Sequence, residues 1–172
     1  MIEGQICYLR AVEPTDISTL YEWENDTTIW TDGDTRHPIS RNAIEQLALQ
    51  ATIDVYQTRQ TRLMVCSKQN NVAVGCVDMF DFDPYNMHCG IGILTIAQYR
   101  QQGFATEAIN LMCNYLFNTL GMHTIYASMR ATNVVSRHLF DNSGFVVTGT
   151  RQGWIKVGST FEDEIFMQRC KN

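Results

Sequence analysis

The residues best suited to chemistry stand together in one stretch, Arg100-Gln101-Gln102-Gly103-Phe104-Ala105-Thr106, between two apolar segments of different period. Ahead of it, Ile91 to Ile96 is short and rich in β-branched residues, which reads as a strand. Behind it, Ala105, Ile109, Met112, Leu116 and Leu120 recur at helical spacing. A glycine-containing turn from strand into helix aims unpaired backbone N–H groups, and the positive end of the helix dipole, at one point. An anion, most simply a phosphate, suits that point. Gly103 would let it approach closely, and Arg100 either reaches a phosphate or lies on the surface. No Gly-Lys-Ser/Thr follows and no Gly-x-Gly-x-x-Gly is present, so neither a triphosphate loop nor a dinucleotide fingerprint is indicated.

A second constellation lies downstream. After a strand-like run from Thr124 to Met129 comes Asn133-Val134-Val135-Ser136-Arg137-His138-Leu139-Phe140-Asp141-Asn142-Ser143-Gly144-Phe145, a helix with asparagine at its start. Arg100-Gln101-Gln102-Gly103-Phe104-Ala105 resembles the pyrophosphate motif Gln/Arg-x-x-Gly-x-Gly/Ala of the GNAT acetyltransferase superfamily. The downstream segment resembles that superfamily's Asn-x-x-Ser/Ala…Gly-Phe helix, in the same order. The resemblance runs from about Ile6 to the last strand, nearest to the ribosomal-protein N-terminal acetyltransferases and the spermidine N-acetyltransferases. It implies an α+β fold whose mixed, mostly antiparallel sheet is flanked by helices and splays open between its fourth and fifth strands. It also implies acetyl-CoA as co-substrate. The pantetheine arm would pair with Ile93, Leu94 and Thr95, and the pyrophosphate with Arg100, Gln101, Gln102, Gly103, Phe104, Ala105 and Thr106. Asn133, Ser136 and Phe140 would complete the cofactor site, with Asn133 capping its helix as well.

Phe140 departs from the pattern. Many members, including the spermidine branch, place there a tyrosine whose phenol protonates the leaving thiolate, and that argues against a polyamine acceptor. The ribosomal-protein branch often has a serine three residues after the asparagine, here Ser136. The two readings of Ser136, thiolate acid or plain first-turn residue, stay open. An amine must lose its proton before attacking a thioester, so a carboxylate or relayed water is expected as general base. The candidates are Glu24, Asp34 and Glu162, each with the alternative of an ordinary surface carboxylate. Trp30 either anchors its loop or lines the acceptor pocket with Asp34, and strand amides near Leu94 would serve as oxyanion donors. The implied reaction is direct acetyl transfer to a primary amine in a ternary complex, the acceptor being a protein N-terminus, a polyamine or an amine-bearing antibiotic. A non-catalytic acyl-CoA sensor is the rival reading.

The elements that must position these residues follow from pattern. Ile6 to Arg10 reads as a strand. A helix from Pro14 to about Asn25 carries Ile17, Leu20, Tyr21 and Trp23 inward, and a second, capped by Ser40, runs to about Gln57 with Ile44, Leu47, Ala48, Ala51 and Val55 on one face. Arg62 to Ser67 and Val72 to Phe82 form a hairpin, and strands from Phe145 to Trp154 and Thr160 to Gln168 close the chain. Its 172 residues suit one domain spanning 1–172, with no linker or repeat. Thirteen basic against eighteen acidic residues, net −5, speak against a nucleic-acid partner. No apolar run is long enough to span a membrane and no signal segment is seen, so a cytoplasmic protein is expected. Six scattered cysteines read as reduced thiols, and neither they nor the four histidines show metal-ligand spacing. A homodimer through the final strands is the expected association, if any.

Overall fold

Strand and helix segments alternate along the chain as the apolar periods dictate. The structure, a computed structural model, describes residues 1–30, 37–50 and 53–171. Its elements are β1 (Ile2–Glu3), β2 (Cys7–Ala11), α1 (Ile17–Glu24), α2 (Arg41–Gln50), α3 (Val55–Thr58), β3 (Thr61–Ser67), β4 (Ala73–Asp83), β5 (His88–Thr95), α4 (Phe104–Asn118), β6 (Thr124–Arg130), α5 (Val134–Asn142), β7 (Val146–Val157) and β8 (Thr160–Cys170). Single 3-10 turns at Pro14–Asp16 and Ala97–Tyr99 lead into α1 and toward α4. The strands form one sheet in the order β1-β2-β3-β4-β5-β6-β8-β7. Every neighbouring pair is antiparallel except β5 with β6.

Each face of the sheet carries its own core. On one, α4 buries Phe104, Ala108, Ile109, Met112, Cys113, Leu116 and Phe117 against strand residues that include Leu9, Val77, Ile91 and Ile125. The expected stripe of Ile109, Met112 and Leu116 forms its centre, with Ala105 and Leu120 half-buried at the margins. On the other face, Leu20 of α1 and Ile44 and Ala48 of α2 pack on Met64, Cys66 and Cys76, with Trp23 and Leu94 at the edge. Removing these side chains from water is the main stabilising term, at roughly 25 cal/mol per Å² of apolar surface.

Three local expectations change. The short β1 precedes the first expected strand, so the splay falls between β5 and β6. The second helix does not run to Gln57. It ends at Gln50, and Asp54 caps the separate turn α3 by accepting from the Tyr56 amide at 2.8 Å. Aspartate favours such a cap over a helix interior. Ala51 lies outside the described residues. Tyr21 points outward, its ring 5.8 Å beneath the Arg41 guanidinium.

All six cysteines are free thiols and five are buried. Burial pushes the Cys113 thiol up to about 11 and those of Cys76 and Cys89 up to about 12, so they pack as small apolar groups. Among the described residues, no helix is long and apolar enough to cross a membrane and no group of three metal-ligating side chains comes together.

Candidate active site

The turn between β5 and α4 carries backbone strain where a phosphate would sit. Gly103, the N-cap of α4, has φ +87° and offers no side-chain cap, so the first amides of the helix stay available. Two residues earlier, Gln101 takes φ +60°, a left-handed conformation uncommon outside glycine. A Cβ at Gly103 would lie 3.4 Å from Ile6 Cδ1, so backbone conformation rather than crowding by the protein calls for glycine. The exposed Gln102 side chain donates to the Gln98 carbonyl at 2.9 Å. Phe104 turns inward, edge-on to Tyr99 with centroids 5.9 Å apart, and Ala105 and Thr106 follow it in the first turn.

Glu107, one residue further, is structural. Its carboxylate accepts the amides of Gln5 at 2.6 Å, Ile6 at 2.9 Å and Cys7 at 2.7 Å, tying the β1–β2 turn to α4. Desolvation raises its pKa, but the bonds from Cys7, Gln5 and Ile6 outweigh that and hold it below the usual value.

The sheet opens immediately beside this turn. β5 and β6 pair only at His88↔Thr124, Cys89↔Ile125 and Gly90↔Tyr126. Beyond Gly90, β5 continues along β4 alone, with Val77↔Ile93, Cys76↔Leu94 and Gly75↔Thr95 in register. The Ile96 amide donates to Val74 O at 3.1 Å, toward β4. By strand alternation Leu94 shares that direction, while Ile93 and Thr95 turn their backbone groups into the gap. The Thr95 carbonyl accepts from Arg100 Nε at 3.1 Å, as that orientation requires. The amides suited to an oxyanion are therefore those flanking Leu94 rather than its own.

Across the gap, α5 begins at Asn133, whose Oδ1 accepts the Ser136 amide at 3.0 Å. That bond leaves the Asn133 amide hydrogens for another acceptor. Ser136 is half-buried in the first turn, whereas Arg137 and His138 are exposed. Phe140 is 4% exposed and packs edge-on against Phe145, centroids 5.1 Å apart.

The acceptor-side candidates are not gathered at one point. Glu24, at the end of α1, forms an ion pair with Arg62 of β3, which also holds Asp78 of β4 through two bonds of 2.7 Å. Glu162 accepts from the Thr132 hydroxyl at 2.5 Å and faces Arg130 at 3.7 Å. Asp34 lies outside the described residues. Trp30 donates from Nε1 to the Glu24 carbonyl at 2.8 Å, so it fastens its loop to the end of α1. A pocket of about 80 Å³ lies between Trp23, Asp26, Thr28 and Ile29 on one wall and Leu94, Ile96, Ala97 and Arg100 on the other. The Thr28 hydroxyl and amide hold the Asp26 carboxyl below its usual pKa, and Arg100 adds to this, so it is anionic at neutral pH. Arg62 and Asp78 were missed in the sequence, although charged residues inside apolar strand runs were the available signal.

A strained turn with uncapped amides, a gap edged by outward peptide groups and a helix-capping asparagine together fit a ligand with phosphates at one end and amides along its length. The family model for the acetyltransferase (GNAT) domain matches residues 7–146. The chain belongs to the GNAT acetyltransferase family. It is an acyltransferase, and acetyl-CoA is its acetyl donor. Among curated proteins it is similar to the spermidine N(1)-acetyltransferase of Vibrio cholerae serotype O1, at 25% identity over 141 residues covering 82% of this chain and 79% of that one. It is also similar to a probable N-acetyltransferase of Bacillus subtilis, 21% identical with 95% and 93% covered. Among solved structures, the V. cholerae spermidine N-acetyltransferase in complex with CoA and spermine superposes with a TM-score of 0.86 at 22% identity, covering 97% and 96% of the two chains. A GNAT-family acetyltransferase from Bacillus anthracis gives 0.83 at 18% identity, covering 98% and 97%. These likenesses are those of a GNAT fold.

Proposed function

We propose that this acetyltransferase acts on the primary amine of a small cationic substrate, with polyamines as the leading class. The observation that carries this is the charge of the acceptor wall. The described carboxylates Glu22, Glu24 and Asp26 follow one another with no lysine or arginine between them, and the Asp26 carboxylate stands at the pocket beside Leu94 and Arg100. Such a wall attracts cations and raises their local concentration. The named activity of the V. cholerae relative supports the same class. Phe140 then bears on how the thiolate leaves rather than on which amine attacks, so its departure from the tyrosine pattern does not argue against polyamines.

In this reading residues 1–172 form a single acetyltransferase domain. The amides of residues 101–106 hold the pyrophosphate, and those of Ile93 and Thr95 bind along the pantetheine and polarise the thioester carbonyl. The neutral amine attacks that carbon, the carbon–sulfur bond breaks, and the proton shed by the amine nitrogen reaches the thiolate through water or by relay through the Ser136 hydroxyl, which gives up one proton and regains another. Holding both reactants in one gap supplies much of the rate. Six free thiols, five of them buried, suit a cytoplasmic setting. The dodecameric assembly described for the V. cholerae enzyme supports self-association here, through the edge strand β7.

The test is thiol release from acetyl-CoA over a panel containing spermidine, 1,4-diaminobutane, an aminoglycoside and peptides with free N-termini. Release on the aliphatic amines at the lowest KM is expected. Release confined to the peptides would replace this acceptor with a protein N-terminus.

A further inference from the structure

The acceptor must reach the reacting carbon from the sheet face opposite α4, because a cofactor whose phosphates rest on α4 takes up the α4 side of the gap. On that opposite face β4 places Asp78 directly across from Gly92, the residue before the outward amide of Ile93. A Cβ built on Gly92 would meet only Phe80 Cε1, at the ordinary contact distance of 3.8 Å. A Cβ on Gly90 would lie 2.3 Å from the same ring. Phe80 thus fills the space over Gly90 and leaves room over Gly92, across from Asp78. The Asp78 side chain is 31% exposed. Arg62 grips both its oxygens, Nε to Oδ1 and Nη2 to Oδ2, each at 2.7 Å, a bidentate geometry that fixes its direction. Arg62 also pairs with Glu24, so one guanidinium gathers a carboxylate from α1 and one from β4.

We propose that Asp78 docks the acceptor nitrogen over Gly92, accepting its N–H hydrogen bond beside the thioester, with Arg62 as the positioning residue that aims it. This rests on the amine-acetyltransferase reading above. Asp78 determines specificity for a cationic aliphatic amine, because its partly exposed carboxylate lies beside the open space over Gly92.

The experiment compares wild type with Asp78→Asn and Gly92→Ala, using acetyl-CoA with spermidine and 1,4-diaminobutane. Asp78→Asn is expected to raise KM for the amine by about tenfold or more while KM for acetyl-CoA stays within about twofold. Gly92→Ala is expected to give the same split with an unchanged Tm, since its methyl meets no protein atom closer than an ordinary contact but takes up the space over residue 92. A purely structural Asp78 would lower Tm and leave Gly92→Ala silent, and that result overturns the proposal. Should Asp78→Asn fail to fold, Gly92→Ala alone decides. Titration of spermidine into the CoA-saturated protein gives a readout without turnover: binding weakened in both variants supports the site, and unchanged binding overturns it. Wild type that binds acetyl-CoA but neither binds nor acetylates any amine would overturn the amine reading, and this site with it. Wild type that turns over normally beside unaffected variants would overturn this site alone.

Discussion

Gly103 and Phe140 show how much a single side chain decides here. At φ +87° an L-residue in place of Gly103 pays about 1–2 kcal/mol for the left-handed conformation, or shifts the turn and misaims the amides of residues 104–106. Gly103→Ala is therefore expected to weaken acetyl-CoA binding by about tenfold, read by calorimetric titration; unchanged affinity would remove the phosphate role from this turn. Phe140 presents the opposite case, a ring in place without its hydroxyl. Phe140→Tyr is expected to raise kcat by roughly three- to tenfold, less than a full general-acid effect because a thiolate already leaves well. The gained rate should vanish at alkaline pH as the phenol ionises, so a pH profile checks it. Asn133 was legible from its type and position, and both the cap and its spare amide hydrogens follow from asparagine chemistry. Asp78 was not, because its meaning depends on Gly92, fourteen residues away in sequence and directly opposite in the sheet.

At the scale of elements, α4 is the part on which others are hung. Its apolar face was readable from period alone, since Ile109, Met112 and Leu116 fall on one side of any helix. Its link to the N-terminal strands was not. Glu107 gathers the amides of residues 5, 6 and 7, and neither the helix nor the turn announces the other in sequence. Replacing it by glutamine sets an NH2 group against three donors, with an expected loss of about 2 kcal/mol and a Tm lower by about 5 °C. Because the folded pKa of Glu107 is depressed, its stabilisation is full above the unfolded value of 4.5 and fades as pH falls through the lower, folded value. The Tm difference between wild type and Glu107→Gln should accordingly be constant near neutrality and shrink below about pH 4.5. A difference independent of pH would mean that packing, not the charged hydrogen bonds, is what the carboxylate supplies.

For the whole molecule, the sheet has one guarded end and one open one. β7 is the last strand in the order and nearly all its residues are exposed, including Val146 at 62% and Val147 at 42%. An exposed, partly apolar edge of this length is a template for a second strand, and a second copy of the chain is the partner proposed for it. By analytical ultracentrifugation, wild type is expected to sediment as a species larger than monomer and Val147→Lys as monomer, with little change in monomer stability, since β7 keeps its ladder to β8. An unchanged sedimentation profile would move the contact away from this edge. The predicted dimer rested on family likeness, and the length of the exposed edge became visible only with the strand order.

By itself the sequence determined the elements, the strained turn at Gly103, the helix cap at Asn133 and the family these define, because all rest on local chemistry: period, glycine, and the hydrogen-bonding reach of asparagine. Two errors were local as well, where Asp54 preferred to cap a new turn and Tyr21 found a partner outside. The tertiary structure alone decided which amides face the gap, which carboxylates Arg62 collects, and that Asp78 stands across from Gly92. Those depend on register between strands distant in the chain, and a shift of one residue reverses every side chain on a strand. No local propensity carries that information.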